Sequence, residues 1–330
     1  MSIDLVLIVV IVLLLVVAFA IGSNDEAMAP VVGAGIMSLS VAVFLGGFLS
    51  ALGAILLGQG VSETVGSDLI KGEELPEAAV VAVLLAMAIW LVAASVGKGL
   101  PISTTQATVG SVCGVAIYYW GTTDAVDWAV VIEILIGWVI SPIIGFIGAA
   151  LTFIIVEKIR HRAAARGLSD VERQERIAGY LLAIFLLWSS FSRGGNDVAN
   201  GVAPLISYFD EPIYALILGG IGMAVGLIII GRKVVETLAH EVVALSPSSA
   251  LSASISVAVI MFVGTAMGLP ISGSHVLVAA LIAVGWAGKT QVEKEAVKGI
   301  LVSWVITVPI SAVLGIALFA ILEPSLAAFT

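Results

Sequence analysis

The sequence predicts an all-α polytopic membrane protein, made of two inverted-topology repeats with discontinuous or re-entrant helices and about ten to twelve membrane segments. Three observations carry that expectation. Of 330 residues, 60% are apolar and 11% charged, against roughly a quarter charged in an ordinary soluble domain, and the mean hydropathy is +1.19. The apolar residues fall in runs long enough to cross a bilayer, which takes about 20 residues. The second half of the chain repeats, in order, the polar words of the first. A secreted enzyme, a nucleic-acid binder and a disordered scaffold are excluded, because too few polar side chains exist to cover a water-facing surface. The single cysteine, Cys113, excludes an internal disulfide and any cysteine-based metal site. The net charge of −9 says little about partners when lipid covers most of the surface.

Apolar stretches lie near 3–21, 31–57, 78–97, 102–120, 128–156, 178–192, 212–230, 250–268, 270–287 and 299–322. They are apolar all round, unlike the alternating segments of about ten residues that build outer-membrane barrels. The first lacks a basic n-region and a small-residue cleavage site and runs straight into Asn24-Asp25, so it reads as a span rather than a signal peptide. The one long hydrophilic stretch is central and holds Lys158, Arg160, Arg162, Arg166, Arg173 and Arg176. Basic loops stay in the cytoplasm. The expected organisation is a first repeat over 1–157, a cytoplasmic linker over 158–176 and a second repeat over 177–330. Both termini are then expected outside a plasma membrane, and the seven tryptophans read as interfacial anchors.

The duplication is legible word by word. Gly22-Ser23-Asn24-Asp25-Glu26-Ala27-Met28-Ala29-Pro30 answers to Gly194-Gly195-Asn196-Asp197-Val198-Ala199-Asn200-Gly201-Val202-Ala203-Pro204, with the Asn-Asp pairs 172 residues apart. Gly58 to Thr64 answers to Gly231 to Thr237 at an offset of 173. Gly99-Leu100-Pro101-Ile102-Ser103-Thr104-Thr105-Gln106 answers to Gly268-Leu269-Pro270-Ile271-Ser272-Gly273-Ser274-His275 at 169, and Trp138-Val139-Ile140 to Trp304-Val305-Ile306 at 166. About five crossings per half would turn the second copy upside down relative to the first, as in many secondary transporters.

Each polar word suggests a chemistry. Asp25 and Asp197 both end apolar runs, and a carboxylate at membrane depth is costly unless paired or hydrated. With Asn24 and Asn196 beside them, and glycines that let the backbone leave helical geometry, they offer hard oxygen ligands suited to a small cation such as Na⁺. The plain alternative is an Asx helix cap. The Pro-Ile-Ser-Thr-Thr and Pro-Ile-Ser-Gly-Ser words suit helix starts, where proline is tolerated and free N–H groups and hydroxyls favour an anion. Two such starts, one per repeat, would offer neutral donors to a tetrahedral oxyanion near the midplane; ordinary capping is again the alternative. Glu63-Thr64 and Glu236-Thr237 are candidate cation ligands or gating pairs, with an interfacial position equally compatible. Arg193 is open between an anion contact and an acidic partner, and His275 between a phosphate donor and a proton-sensitive group. Ser23 joins the coupling candidates.

At these words the chain resembles the inorganic phosphate transporter (PiT) family, which carries a duplicated Gly-Ala-Asn-Asp-Val-Ala-Asn-Ala-like signature, each copy followed by a Pro-Val-Ser-Thr-Thr-His-like word. The resemblance runs from Ile3 to Leu322. It implies symport of inorganic phosphate with Na⁺, or with H⁺, by alternating access, and no enzymatic activity, cofactor or nucleic-acid partner; a homo-oligomer stays open. It puts Asn24, Asp25, Asn196 and Asp197 among the coupling-ion ligands. It puts Ser103, Thr104, Thr105 and Gln106 with Ser272, Gly273, Ser274 and His275 around phosphate. Departures stand at Glu26, Met28, Gln106 and Gly273, and the hydroxyl missing at Gly273 leaves sulfate as the alternative cargo. An intramembrane aspartyl protease is the rival of another class, although no Gly-x-Gly-Asp word is present and His240-Glu241 lacks the second histidine of a zinc protease. A passive anion channel is the third.

Overall fold

The computed structural model describes residues 5–65, 69–71, 75–167, 170–269 and 271–327. Twelve α-helices account for almost all of them. In the first half these are α1 (Leu5–Ser23), α2 (Ala29–Gly33), α3 (Leu39–Val65), α4 (Glu77–Gly97), α5 (Thr104–Trp120) and α6 (Trp128–Ala165). In the second they are α7 (Val171–Val202), α8 (Pro212–Gly226), α9 (Arg232–Glu241), α10 (Pro247–Ala266), α11 (Gly273–Ala287) and α12 (Lys294–Ala327). A π-helical turn at Leu227–Gly231 joins α8 to α9.

Among the described residues, seven helices are long and apolar enough to cross a membrane, so the protein is a multi-pass membrane protein. The other apolar runs counted at the sequence level correspond to shorter pieces. The 17 residues of α5 and 15 of α11 are about 25 and 22 Å long, less than the roughly 30 Å of bilayer hydrocarbon. They are the discontinuous helices. Each follows a long partner through an extended word whose glycine adopts a positive φ, +64° at Gly99 and +70° at Gly268. That backbone region favours glycine.

The two halves interlock rather than sit side by side. The helices α1 and α8 approach so closely that a Cβ on Gly22 would lie 1.9 Å from the Met223 carbonyl oxygen, and one on Gly226 2.0 Å from that of Phe19. The same contact recurs between α3 and α7, where Gly53 faces the Phe191 oxygen at 1.7 Å and Gly194 the Ser50 oxygen at 2.0 Å. Every residue of the second set stands 172 or 173 positions from its counterpart, so the duplication is one packing unit written twice, each copy joining a helix of one half to a helix of the other. Small residues are what let membrane helices approach backbone to backbone.

The stretch read as a linker over 158–176 is helical over 158–165 and 171–176, because α6 and α7 simply continue past the apolar segments. Its Arg160 pairs with Glu157 and Glu175 and donates to Ser248 Oγ at 2.8 Å, tying the hairpin to the start of α10. The tryptophans are not all interfacial anchors. Trp90 donates to Thr307 Oγ1 at 3.0 Å and Trp304 to the Pro101 carbonyl at 3.2 Å, and Trp138 is buried. A buried indole brings a large apolar body and a donor that seeks a partner.

Candidate functional site

The first signature breaks its helix. After Ser23, whose hydroxyl returns to the Ala20 carbonyl at 2.7 Å, the chain turns through 24–28, and Asp25 Oδ1 accepts from the Ala27 N–H at 3.0 Å. The second signature does not break. Gly194, Gly195, Asn196 and Asp197 all lie within α7, and the glycines serve the close crossing with α3 instead of loosening the backbone. The expectation of unwound backbone therefore holds in one copy only.

The asparagines do one job in both copies. Asn24 Oδ1 accepts from the Ile102 N–H at 2.8 Å, and its Nδ2 donates to Ser95 Oγ at 2.8 Å and to the Leu100 carbonyl at 2.9 Å. Asn196 Nδ2 donates to the Leu269 carbonyl at 2.8 Å, the matching place in the second half. Each amide clamps the extended word that leads into a short helix, so the Asn-Asp and Pro-Ile-Ser words form one device.

The clamps bring the starts of α5 and α11 together. Ser274 Oγ donates to the Ile102 carbonyl at 3.3 Å across the halves. Ser103 caps α5 by accepting from the Gln106 N–H at 3.3 Å and also bonds Thr105 Oγ1 at 2.8 Å, while Ser272 caps α11 by accepting from the His275 N–H at 3.4 Å. Capping thus takes part of the hydroxyl inventory. Between the two starts lies a polar cavity of about 10 Å³, lined by Ser103, Thr104, Thr105, Ser272, Gly273 and Ser274 together with Asn24, Asp25, Arg193 and Asp197. That is room for about one water.

Electrostatics dominates the wall beside it. Arg193, 2% exposed, sits among three carboxylates: Glu26 Oε1 is 2.9 Å from Nη1, Asp25 Oδ1 3.4 Å from Nη2, and Asp197 Oδ2 3.5 Å from Nε. Asp25, Glu26 and Asp197 are buried, and an isolated charge at such a place would be prohibitive. One guanidinium thus holds three acids from both halves. Among the described residues no group of three or more His, Cys, Asp or Glu side chains is placed to hold a metal ion. A cation here would draw on a carboxylate plus carbonyl and hydroxyl oxygens, a donor set that fits a hard monovalent ion.

Not every candidate joins the site. Gln106 and His275 do not line the cavity; both are buried, and the His275 ring lies 4.0 Å from that of Trp304. Glu236 is exposed and Thr237 half-buried, away from the cavity. The side chains of Glu63 and Thr64, and Pro270, lie outside the described residues. Arg232 is exposed, whereas Lys233 Nζ donates to the Val96 and Gly97 carbonyls at 2.6 and 2.7 Å, closing the end of α4. One member was missed. Glu26 is wholly buried against Arg193, and the signal was an ionisable group directly after a twenty-residue apolar run, which marks function by default.

Comparison with known proteins identifies the family of the chain. A model of the phosphate transporter family matches residues 21–315. A candidate phosphate permease of Pyrococcus furiosus is 29% identical over 97% of this chain and 97% of its own length. The chloroplastic inorganic phosphate transporter 2-1 of Arabidopsis thaliana is 27% identical over 91% of this chain and 69% of its own. A solved structure described as the sodium-dependent phosphate transporter is 26% identical, covers 96% of this chain and 98% of its own, and superposes with a TM-score of 0.86.

Proposed function

This chain belongs to the phosphate transporter family, and from that premise we propose that it imports inorganic phosphate by symport with Na⁺ across a plasma membrane, by alternating access between its two halves. H⁺ is the alternative coupling ion and sulfate the alternative cargo. The basic α6–α7 hairpin would face the cytoplasm and both termini the outside.

One observation carries the reading: the two helix starts and the two signature aspartates share a single small cavity. N–H groups and hydroxyls of Ser103, Thr104, Thr105, Ser272 and Ser274 suit an oxyanion, while the carboxylates repel it. Two like charges 4 Å apart repel by about 4 kcal/mol at an effective dielectric of 20. Three acids surround one guanidinium, so the wall stays net negative until cations arrive at Asp25 and Asp197. Cation binding then makes anion binding favourable, which is coupling expressed in charge. A cavity this small is in keeping with a carrier that opens to one side at a time.

The family is one of transporters, and the protein is not an enzyme. Its aspartates are also unlike a protease dyad, in which two carboxylates share one proton at close range; here a guanidinium lies between them.

The deciding experiment is uptake of labelled phosphate into proteoliposomes under an imposed Na⁺ or H⁺ gradient, with sulfate and arsenate as competitors. Concentrative phosphate uptake driven by inward Na⁺ is expected, with arsenate competing and sulfate not. Uptake that ignores both gradients would overturn symport.

A further inference from the structure

Three of the places where the internal repeat departs from itself meet at Arg193. Arg193 stands where the first half has Ile21, Glu26 where the second half has Val198, and Gly273 where the first half has Thr104. In space the Arg193 Nη1 is 2.9 Å from Glu26 Oε1. A Cβ on Gly273 would lie 2.6 Å from Arg193 Nε and 2.9 Å from its Cζ. Any side chain at 273 would force the guanidinium to shift from this position. The symmetry-related place holds an isoleucine, a valine and a threonine, and no charge.

The cavity is consequently lopsided. The α5 side offers Ser103, Thr104 and Thr105; the α11 side lacks the middle hydroxyl and has a buried guanidinium against the gap. Arg193 lines the cavity and Glu26 does not, so the carboxylate lies behind the guanidinium. Guanidinium presents up to five donors in a planar fork that matches tetrahedral oxyanions bidentately. Glu26 is held by Arg193, whose Nη1 is 2.9 Å from its Oε1, and by the Ser274 hydroxyl beside it.

We propose that Arg193 is the charged ligand of the transported anion, supplied in place of the hydroxyl that Gly273 lacks, and that Glu26 positions it and competes with the anion for it. The inference rests on the phosphate reading above and adds to it a specificity-determining pair. When an anion enters, the guanidinium exchanges carboxylate partners for anion oxygens. Glu26 keeps the empty site from holding any stray anion too firmly, and so sets affinity.

The test is equilibrium binding of ³²P-labelled phosphate to the purified full-length protein in detergent at saturating Na⁺. Arg193→Gln is expected to weaken binding about tenfold or more, the scale of a charged hydrogen bond. Glu26→Gln is expected to tighten it about threefold to tenfold, since one competing charge is gone; structural damage does not produce a gain. The triple variant Glu26→Val/Arg193→Ile/Gly273→Thr gives this locus the residues of its symmetry mate and leaves no unpaired buried charge from the pair. It is expected to stay monodisperse and to bind phosphate as weakly as Arg193→Gln. Wild-type affinity in the triple variant, or weaker binding in Glu26→Gln, would overturn the proposal. Absence of phosphate binding by the wild-type protein would instead overturn the phosphate reading on which it stands.

Discussion

The two signatures share a sequence pattern but not a backbone. In the first copy the helix stops at Ser23, turns through Asn24 and Asp25 and resumes at Ala29; in the second, α7 runs unbroken from Val171 through Asn196 and Asp197 to Val202. Yet the side chains do the same work. Both asparagines clamp an extended word, and both aspartates reach one guanidinium. What the site conserves across the copies is where the side-chain atoms end up, and the backbone beneath them is free to differ. The π-helical turn at Leu227–Gly231 is the second such difference, since its counterpart within α3 is regular helix.

If the aspartates are equivalent despite the unlike backbones, neutralising either should be equally damaging. Asp25→Asn and Asp197→Asn are each expected to abolish concentrative phosphate uptake in proteoliposomes while insertion and yield stay normal. Each removes a carboxylate that would have received a cation, and the remaining acid of the wall, Glu26, is engaged with Arg193 Nη1 at 2.9 Å. Uptake that survives in one variant alone would show that the copies have diverged in function as well as in shape.

The close crossings are the part of the repeat that should tolerate least. Gly53→Ala and Gly194→Ala push a methyl group against carbonyl oxygens 1.7 and 2.0 Å away, and both atoms belong to backbone that cannot turn aside. Overpacking costs about 3 kcal/mol where the surroundings can shift, and more is expected here. Loss of a monodisperse peak in size-exclusion chromatography is the measurement. The matching Gly22→Ala and Gly226→Ala should fail likewise, and survival of one pair alone would mean that the two crossings are unequal.

How far the sequence reached can be read from these residues. Composition and segment length settle the all-helical membrane fold, because nothing else buries so many apolar side chains with so few charges. The duplication is plain because Asn24, Asp25, Ser103 and Thr105 recur with matching partners at nearly constant offsets. Spacing could not show which atoms face each other. Asn24 lines the cavity, and its amide also spends three hydrogen bonds on the end of α4 and the α4–α5 connection, which spacing does not reveal. Gln106 and His275 belong to the same words as the cavity residues, yet a helix turns each successive side chain by about 100°, which carries position 106 and position 275 away from the cavity. Gly194 and Gly195 read as backbone freedom and are contact surface. Glu26 was visible as a departure, and its partner on α7, 167 residues further along the chain, was not.

A medium effect is expected at the clamp. Asn24→Ala removes three hydrogen bonds and leaves the Ile102 N–H and Leu100 carbonyl without that partner, a loss of about 1–3 kcal/mol. Thermal unfolding in detergent should occur at lower temperature, and phosphate binding should weaken with it because the start of α5 is no longer held. Asn196→Ala should do the same for α11. Clamp loss without any change in phosphate affinity would separate the asparagines from the anion site and leave them purely architectural.

The smallest effect should come from Thr104, and it bears most directly on how the labour is divided within the cavity. Its side chain lines the space between the helix starts, and the position is occupied by Gly273 in the other copy, so the protein already tolerates the loss of this hydroxyl in one of its halves. Valine keeps the branched shape and removes only the oxygen. One neutral hydrogen bond is worth about 1 kcal/mol, so Thr104→Val should weaken phosphate binding severalfold while the Na⁺ dependence of transport keeps its midpoint. A parallel loss of both would mean that the α5 start serves the cation as much as the anion, and the separation of roles between helix starts and signature aspartates would have to be redrawn.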